Sequence, residues 1–174
     1  MAMSDAFLQE LEQEAHATRR ALERVPENKL DWRPHPKSMS LGQLSLHIAV
    51  MPGAIAELST QSPFQVKNFT QEPATSTSQL LSTLDESLAK ARQVLKNTDD
   101  AALGTMWKMV DGEKEIMAIP RAALLRTVML NHWYHHRGQL TVYLRELGVP
   151  VPSIYGPSAD ENPFATERAM SATV

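Results

Sequence analysis

The 174-residue chain contains no cysteine, which excludes a disulfide framework, a thiolate metal site and a cysteine nucleophile on the protein itself. Any thiol chemistry would have to bring its thiol in with a cosubstrate. A charge excess is missing too. Seventeen basic against 20 acidic residues leave a net charge of -3, and the lysines and arginines form no stripe, so nothing draws the chain to nucleic acid or to an acidic membrane. No apolar run approaches the roughly 20 residues of a membrane span, and the opening MAMSDAFLQELEQEAH is acidic and amphipathic rather than basic and then apolar. The expectation from these absences is a cytoplasmic protein with no nucleic-acid or membrane partner. Internal repeats and low-complexity tracts are lacking as well, and 174 residues suit one domain, 1–174, large enough to bury a core without disulfides or metal.

What the chain does have is helical rhythm. Leu8, Leu11, Ala15, Thr18, Leu22 and Val25 recur in alternating steps of three and four, flanked by charge, and Pro26 marks the end of that segment. A second seam runs Leu41, Leu44, Ile48, Met51, Ile55, Leu58, opened by Ser40 and Gln43 as a capping box. Pro52 interrupts it, lacking the amide that would bond the Ile48 carbonyl. The third has Leu81, Leu84, Leu88, Ala91 and Leu95, with Ser76 and Gln79 at its start and Asn97 and Asp99 at its end. The fourth should begin near Pro120 and stop at Gly148, with a seam of Leu125, Val128, His132, His136 (or His135), Gln139 and Tyr143. Gly138 within it suggests close helix approach. Four such segments predict an all-α, up-and-down type four-helix bundle with irregular loops at 27–39, 61–75 and 97–119 and an extended tail from about 149. The stretch MWKMVDGEKEIMAI can form a short hairpin around Asp111-Gly112.

The polar places in the fourth seam carry the functional signal. Residues four apart lie one above the other on a helix, so His132 and His136 can reach one ion. A third ligand must come from elsewhere, and His47, on the second helix beside an apolar stripe, is the best placed. Three histidines leave a position free for water or substrate, which is the pattern of a catalytic rather than a structural site. His135 points about 100° away around the helix; it is an alternative ligand, or else a hydrogen-bonding neighbour or interface histidine.

WRPHPKSMSLGQLSLHIA (32–49) followed by NHWYHHRGQLTVYLRELGVPVPSIYG (131–156) resembles the DinB-like, or damage-inducible DinB/YfiT, superfamily. The two stretches make up about a quarter of the chain and fall, in the right order, on the second and fourth helices. The resemblance implies a variant up-and-down four-helix bundle, usually a homodimer, holding a divalent metal near one end through His47, His132 and His136. The ion would be zinc or nickel, with manganese also known in the family. It further implies a metal-dependent enzyme acting on a small molecule, of the thiol S-transferase or hydrolase type, with a low-molecular-weight thiol as one class of cosubstrate. The interior from Gln61 to Ile119 has no motif that would name a substrate.

No residue is assigned as the catalytic acid or base. Tyr143, roughly on the histidine face, and Arg137 and Gln139 beside it are the candidates, although arginine and glutamine there also serve to anchor neighbouring loops. Asp160 and Glu161 are expected to be solvated tail charges unless the tail folds over the metal. Trp32, Trp107, Trp133, Tyr134 and Tyr155 suit core or interface positions, and His16 and His35 surface or loop positions. The alternative to an enzyme is a non-catalytic metal-binding or ligand-sensing dimeric bundle.

Overall fold

Residues 2–66 and 70–165 are described by a computed structural model. Its helices are α1 (Met3–Leu22), α2 (Leu41–Ser59), α3 (Thr77–Lys96), a short α4 (Asp100–Gly104), α5 (Arg121–Leu124) and α6 (His132–Glu146), with a π-helical stretch, Leu125–Asn131, joining the last two. The expected four-helix bundle is present, built from α1, α2, α3 and the α5–α6 run. Its connection is the variant part. Helix α1 packs on α3 and α6, and α2 packs on the same two, so the order around the bundle is α1, α3, α2, α6. The long stretch between α1 and α2 therefore crosses a diagonal.

The three regular seams form the core: Leu11, Leu22, Leu41, Leu44, Ile48, Leu84, Ala91 and Leu95 are all fully buried. Each such leucine or isoleucine gains about 1.5–3 kcal/mol from leaving water. The caps act as the sequence suggests. Ser40 Oγ accepts from Gln43 N at 3.2 Å while Gln43 Oε1 accepts from Ser40 N at 2.9 Å. Ser76 Oγ likewise accepts from Gln79 N at 3.1 Å, but Gln79 Oε1 turns to the Thr75 amide instead of closing the box. Asp99 does not merely end α3; its carboxylate accepts from Ala102 N at 2.7 Å and starts α4, an element the sequence reading missed. At the far end, Gly148 takes φ +69°. Its amide and that of Val149 bond back to Arg145 and Leu144 in a Schellman closure.

Pro52 sits inside α2, where its missing amide disturbs the ladder. The damage is repaired from α3: Ser87 Oγ accepts from Gly53 N at 2.8 Å and donates to the Val50 carbonyl at 2.9 Å. Gly53 is needed for that approach, since a Cβ there would lie 2.6 Å from the Ser87 carbonyl oxygen. By length and mean hydropathy α2 is apolar enough to cross a membrane, yet 56% of it is buried inside the bundle.

The hairpin around Asp111-Gly112 exists as β2 (Met106–Asp111) and β3 (Lys114–Pro120), paired antiparallel from Met106↔Pro120 to Asp111↔Lys114. A two-residue strand not foreseen, β1 (Phe64–Gln65), adds in parallel to β2 through Phe64↔Met109. The sheet has its own small core, in which Phe64 stacks on the buried Trp107 with ring centres 6.2 Å apart. Trp107 also ties the sheet to α2 by donating to the Leu58 carbonyl at 3.1 Å. The expected extended tail follows Gly148 as far as it is described; its expected fraying lies outside the described residues.

Candidate metal centre

The fourth seam departs from the one read in the sequence. Beyond Leu125 the core face runs through the fully buried Met129, Trp133, Leu140 and Leu144, with Arg137 2% exposed, each one residue later than Val128, His132, His136, Gln139 and Tyr143; Leu130, beside Met129, is fully buried as well. The π stretch explains the offset. Bonds from i to i+5 wrap more residues into a turn than an α-helix does, so the stretch that ends at Asn131 delays the core face by one position. His132 and His136 therefore flank the seam instead of forming it. They face α2, half-buried, where His47 meets them.

The three imidazoles come together. Ring centres are 5.4 Å apart for His47 and His132, 4.6 Å for His47 and His136 and 4.4 Å for His132 and His136. One nitrogen of each lies within 4.8 Å of the others. His132 and His136 present Nε2 to the same point. Gln139 Oε1 lies 2.7 Å from His136 Nδ1; in this orientation the amide oxygen suits the tautomer with its proton on Nδ1, the one that leaves the Nε2 lone pair for a metal.

Neutral rings are what a metal needs. Burial pulls His47 down to about 4, with His136 and His132 adding like-charge repulsion. Burial also lowers His132, helped by His135, and lowers His136 against the opposing hydrogen bond to Gln139. All three are uncharged near neutrality. Three neutral imidazoles are a donor set that suits a divalent zinc- or nickel-class ion, so the residues present fit such a group.

The two histidine-bearing helices are joined by an unusual bond. With no amide at Pro52, the Ile48 carbonyl lacks its i+4 donor in α2; it accepts from Trp133 Nε1 at 2.9 Å. Ile48 follows His47 in the chain and Trp133 follows His132, so the bond pins the two histidine positions to each other.

The other candidates are placed as follows. Arg137 faces α1, where it pairs with Glu14 at 2.6 Å and donates to Thr18 Oγ1 at 3.1 Å and to the Tyr155 hydroxyl. The Tyr143 hydroxyl donates to the Met39 carbonyl at 3.2 Å, and its ring meets Trp32 edge-on at 5.4 Å. Gln139 is the one of the three that touches a histidine of the cluster. His135 is exposed, with its ring 5.1 Å from that of His136. Gly138 brings no helix close: nothing lies within 4 Å of where a Cβ would stand, because the one-position offset turns it to the open side. Asp160 and Glu161 are not free tail charges. Asp160 pairs with Arg145 and Glu161 with Arg20 and Arg24. Hydrogen bonds from the Arg145 guanidinium and the Ser153 amide, respectively, hold them below the usual carboxylate range. They fasten the tail.

A cavity of about 610 Å³ opens beside the cluster, with His47 and His132 in its wall. Sequence patterning could not have shown it, since its walls come from α2, β1, the π stretch and residues 70–72.

The profile of the DinB family matches residues 1–168. The uncharacterized protein YrdA of Bacillus subtilis (strain 168) is 30% identical over 164 residues, 90% of each chain. Among solved structures, a DinB-like protein from Bacillus cereus aligns with a TM-score of 0.69 at 24% identity, over 87% of this chain and 97% of that one. YfiT from Bacillus subtilis, described as a probable metal-dependent hydrolase with an unusual four-helix bundle topology, aligns at 0.62 and 18% identity, over 83% and 87%. With the family profile matching almost end to end and the bundle shared with these structures, the chain belongs to the DinB family.

Proposed function

We propose that the protein is a divalent-metal-dependent enzyme acting on a small molecule, with the ion held by His47, His132 and His136 and hydrolysis as the reaction. The observation that carries this reading is the convergence of three uncharged imidazoles, two of them in the wall of a cavity. A divalent ion bound there would supply Lewis acidity, lowering the pKa of a coordinated water, or of a thiol brought by a cosubstrate, and polarising a carbonyl. The chain's own residues do the rest. Burial keeps the histidines unprotonated, Gln139 fixes the tautomer and tilt of His136, and the Trp133–Ile48 bond holds the two helices at ligand spacing. The cavity receives the substrate beside two of the three rings. The likeness to YfiT supports the bundle; the chemistry is argued from this chain's residues.

The test is metal content of untagged protein by mass spectrometry, with His47→Ala and His136→Ala alongside. Screens for ester and amide hydrolysis and for thiol consumption follow. Near-stoichiometric metal, lost in both variants together with turnover, supports the reading. A wild type without metal under metal-replete conditions overturns it. One observation favours a second reading, a non-catalytic metal-binding or ligand-sensing bundle: Arg137 and Tyr143 are both committed to structural partners, which leaves the site without an assigned general base. That reading predicts stoichiometric metal and no turnover.

A further inference from the structure

We infer that the cavity beside the imidazoles takes a small, largely apolar molecule whose body carries no negative charge, such as a neutral aromatic or aliphatic ester or amide. This deepens the reading above, on which it rests for the fate of that molecule, by naming its class. At about 610 Å³ the cavity has the size of a small-molecule site. Val50, Ala54, Ile55, Leu58, Phe64 and Val128 line it with apolar surface from three separate elements, which suits a hydrocarbon body. The charges are equally one-sided. Two carboxylates, Glu57 and Glu72, stand in the lining, and among the described residues there is no lysine or arginine in it. Lys90 reaches Glu57 only at 3.5 Å with both side chains about half exposed, so that pair does little to cancel the field. An anionic group on the ligand's body would meet like charge beside low-dielectric walls and find no cationic partner among the described residues. The restriction falls on the body rather than on the head that faces the histidines. It disfavours polycarboxylate thiols as the molecule bound here.

Two probes that differ only in charge test this: N-phenyl-1-naphthylamine, which is neutral, and its 8-sulfonate. Each is titrated by fluorescence into protein freed of metal with EDTA, so the result does not depend on the metal reading. The neutral probe should saturate one site and bind about tenfold or more tighter than the sulfonate. Ala54→Trp, which fills the cavity, should abolish the saturable signal while circular dichroism and metal uptake stay unchanged. Val50→Trp, at a position 39% exposed, does the same should the first variant fold poorly. Glu57→Gln with Glu72→Gln should narrow the gap between the probes. Equal or tighter binding of the sulfonate, or neutral-probe binding indifferent to both tryptophans, overturns the proposal even where the protein binds its metal.

Discussion

Trp133 donates its indole N–H to the Ile48 carbonyl at 2.9 Å, the carbonyl whose i+4 donor Pro52 removes. A defect in one helix has become the attachment point of another. Trp133→Phe should therefore destabilise the protein by about 1–3 kcal/mol, the cost of a buried acceptor left unpaired, as read from urea unfolding. Adding Pro52→Ala returns an amide to that carbonyl, so the double variant should lose less than the sum of the two singles. Strict additivity would show that the bond does not couple the two positions.

Gln139 is the outer partner of the cluster, and its loss should be felt in affinity before stability. Gln139→Leu should weaken metal binding about 10- to 100-fold, measured by competition with a chelating dye. Because Gln139 is exposed, the melting temperature of the metal-free protein should hardly move.

The imidazoles predict a pH dependence of the metal-free fold. His47 titrates at its ordinary 6.5 when unfolded and at about 4 when folded, so between those values the unfolded chain binds more protons. Stability is then full above pH 6.5, falls as pH drops through that window, and reaches its floor near 4. His132 and His136 shift in the same direction. Thermal melts of EDTA-treated protein should show the decline, and His47→Phe should flatten it.

Arg137 is a structural charge, and the prediction differs from that for a catalytic one. Its guanidinium is 2% exposed and paired with Glu14, whose side chain is 12% exposed. Arg137→Met leaves that carboxylate without its cation, with only the Tyr155 hydroxyl donating to it, and should cost about 3 kcal/mol in urea unfolding, while the stoichiometry of metal uptake at saturation stays at the wild-type value.

Gly138 is open to substitution. It lies in the interior of α6 with nothing near its missing Cβ, so Gly138→Ala should stabilise the protein by about 1 kcal/mol. A loss of stability in the same unfolding assay would point to an unseen neighbour at that face.

How much of this was legible in the sequence depended on how local each cause is. Ser40 with Gln43, most apolar steps of α1 to α3, and Gly148 act within a turn or two of themselves and stand where patterning puts them, while at Leu8, Ile55 and Leu81 the adjacent Phe7, Ala56 and Leu80 take the buried place. The clustering of three histidines was legible as well, because helical spacing brings His132 and His136 together and His47 stands on the second helix beside its apolar stripe. The core face of α6 was not. Composition gives no sign of a π turn, so stepping by three and four from Leu125 arrives one residue early and places histidine where Trp133 and Arg137 are buried. The tail carboxylates were misjudged for a similar reason. The arginine that holds Asp160 lies 15 residues away and the two that hold Glu161 about 140 away, beyond any local pattern.

The diagonal order of the bundle bears on how the chain comes together during synthesis. Helix α1 is made first, yet its substantial neighbours among the described residues are α3 and the elements after it. A ribosome-bound chain therefore carries an amphipathic helix with an unsheltered apolar seam until α3 has emerged, while α2 and α3 are the first consecutive helices able to pair. The nascent chain should be most vulnerable to sticking, and most dependent on a chaperone, in the interval before residue 96 clears the exit tunnel.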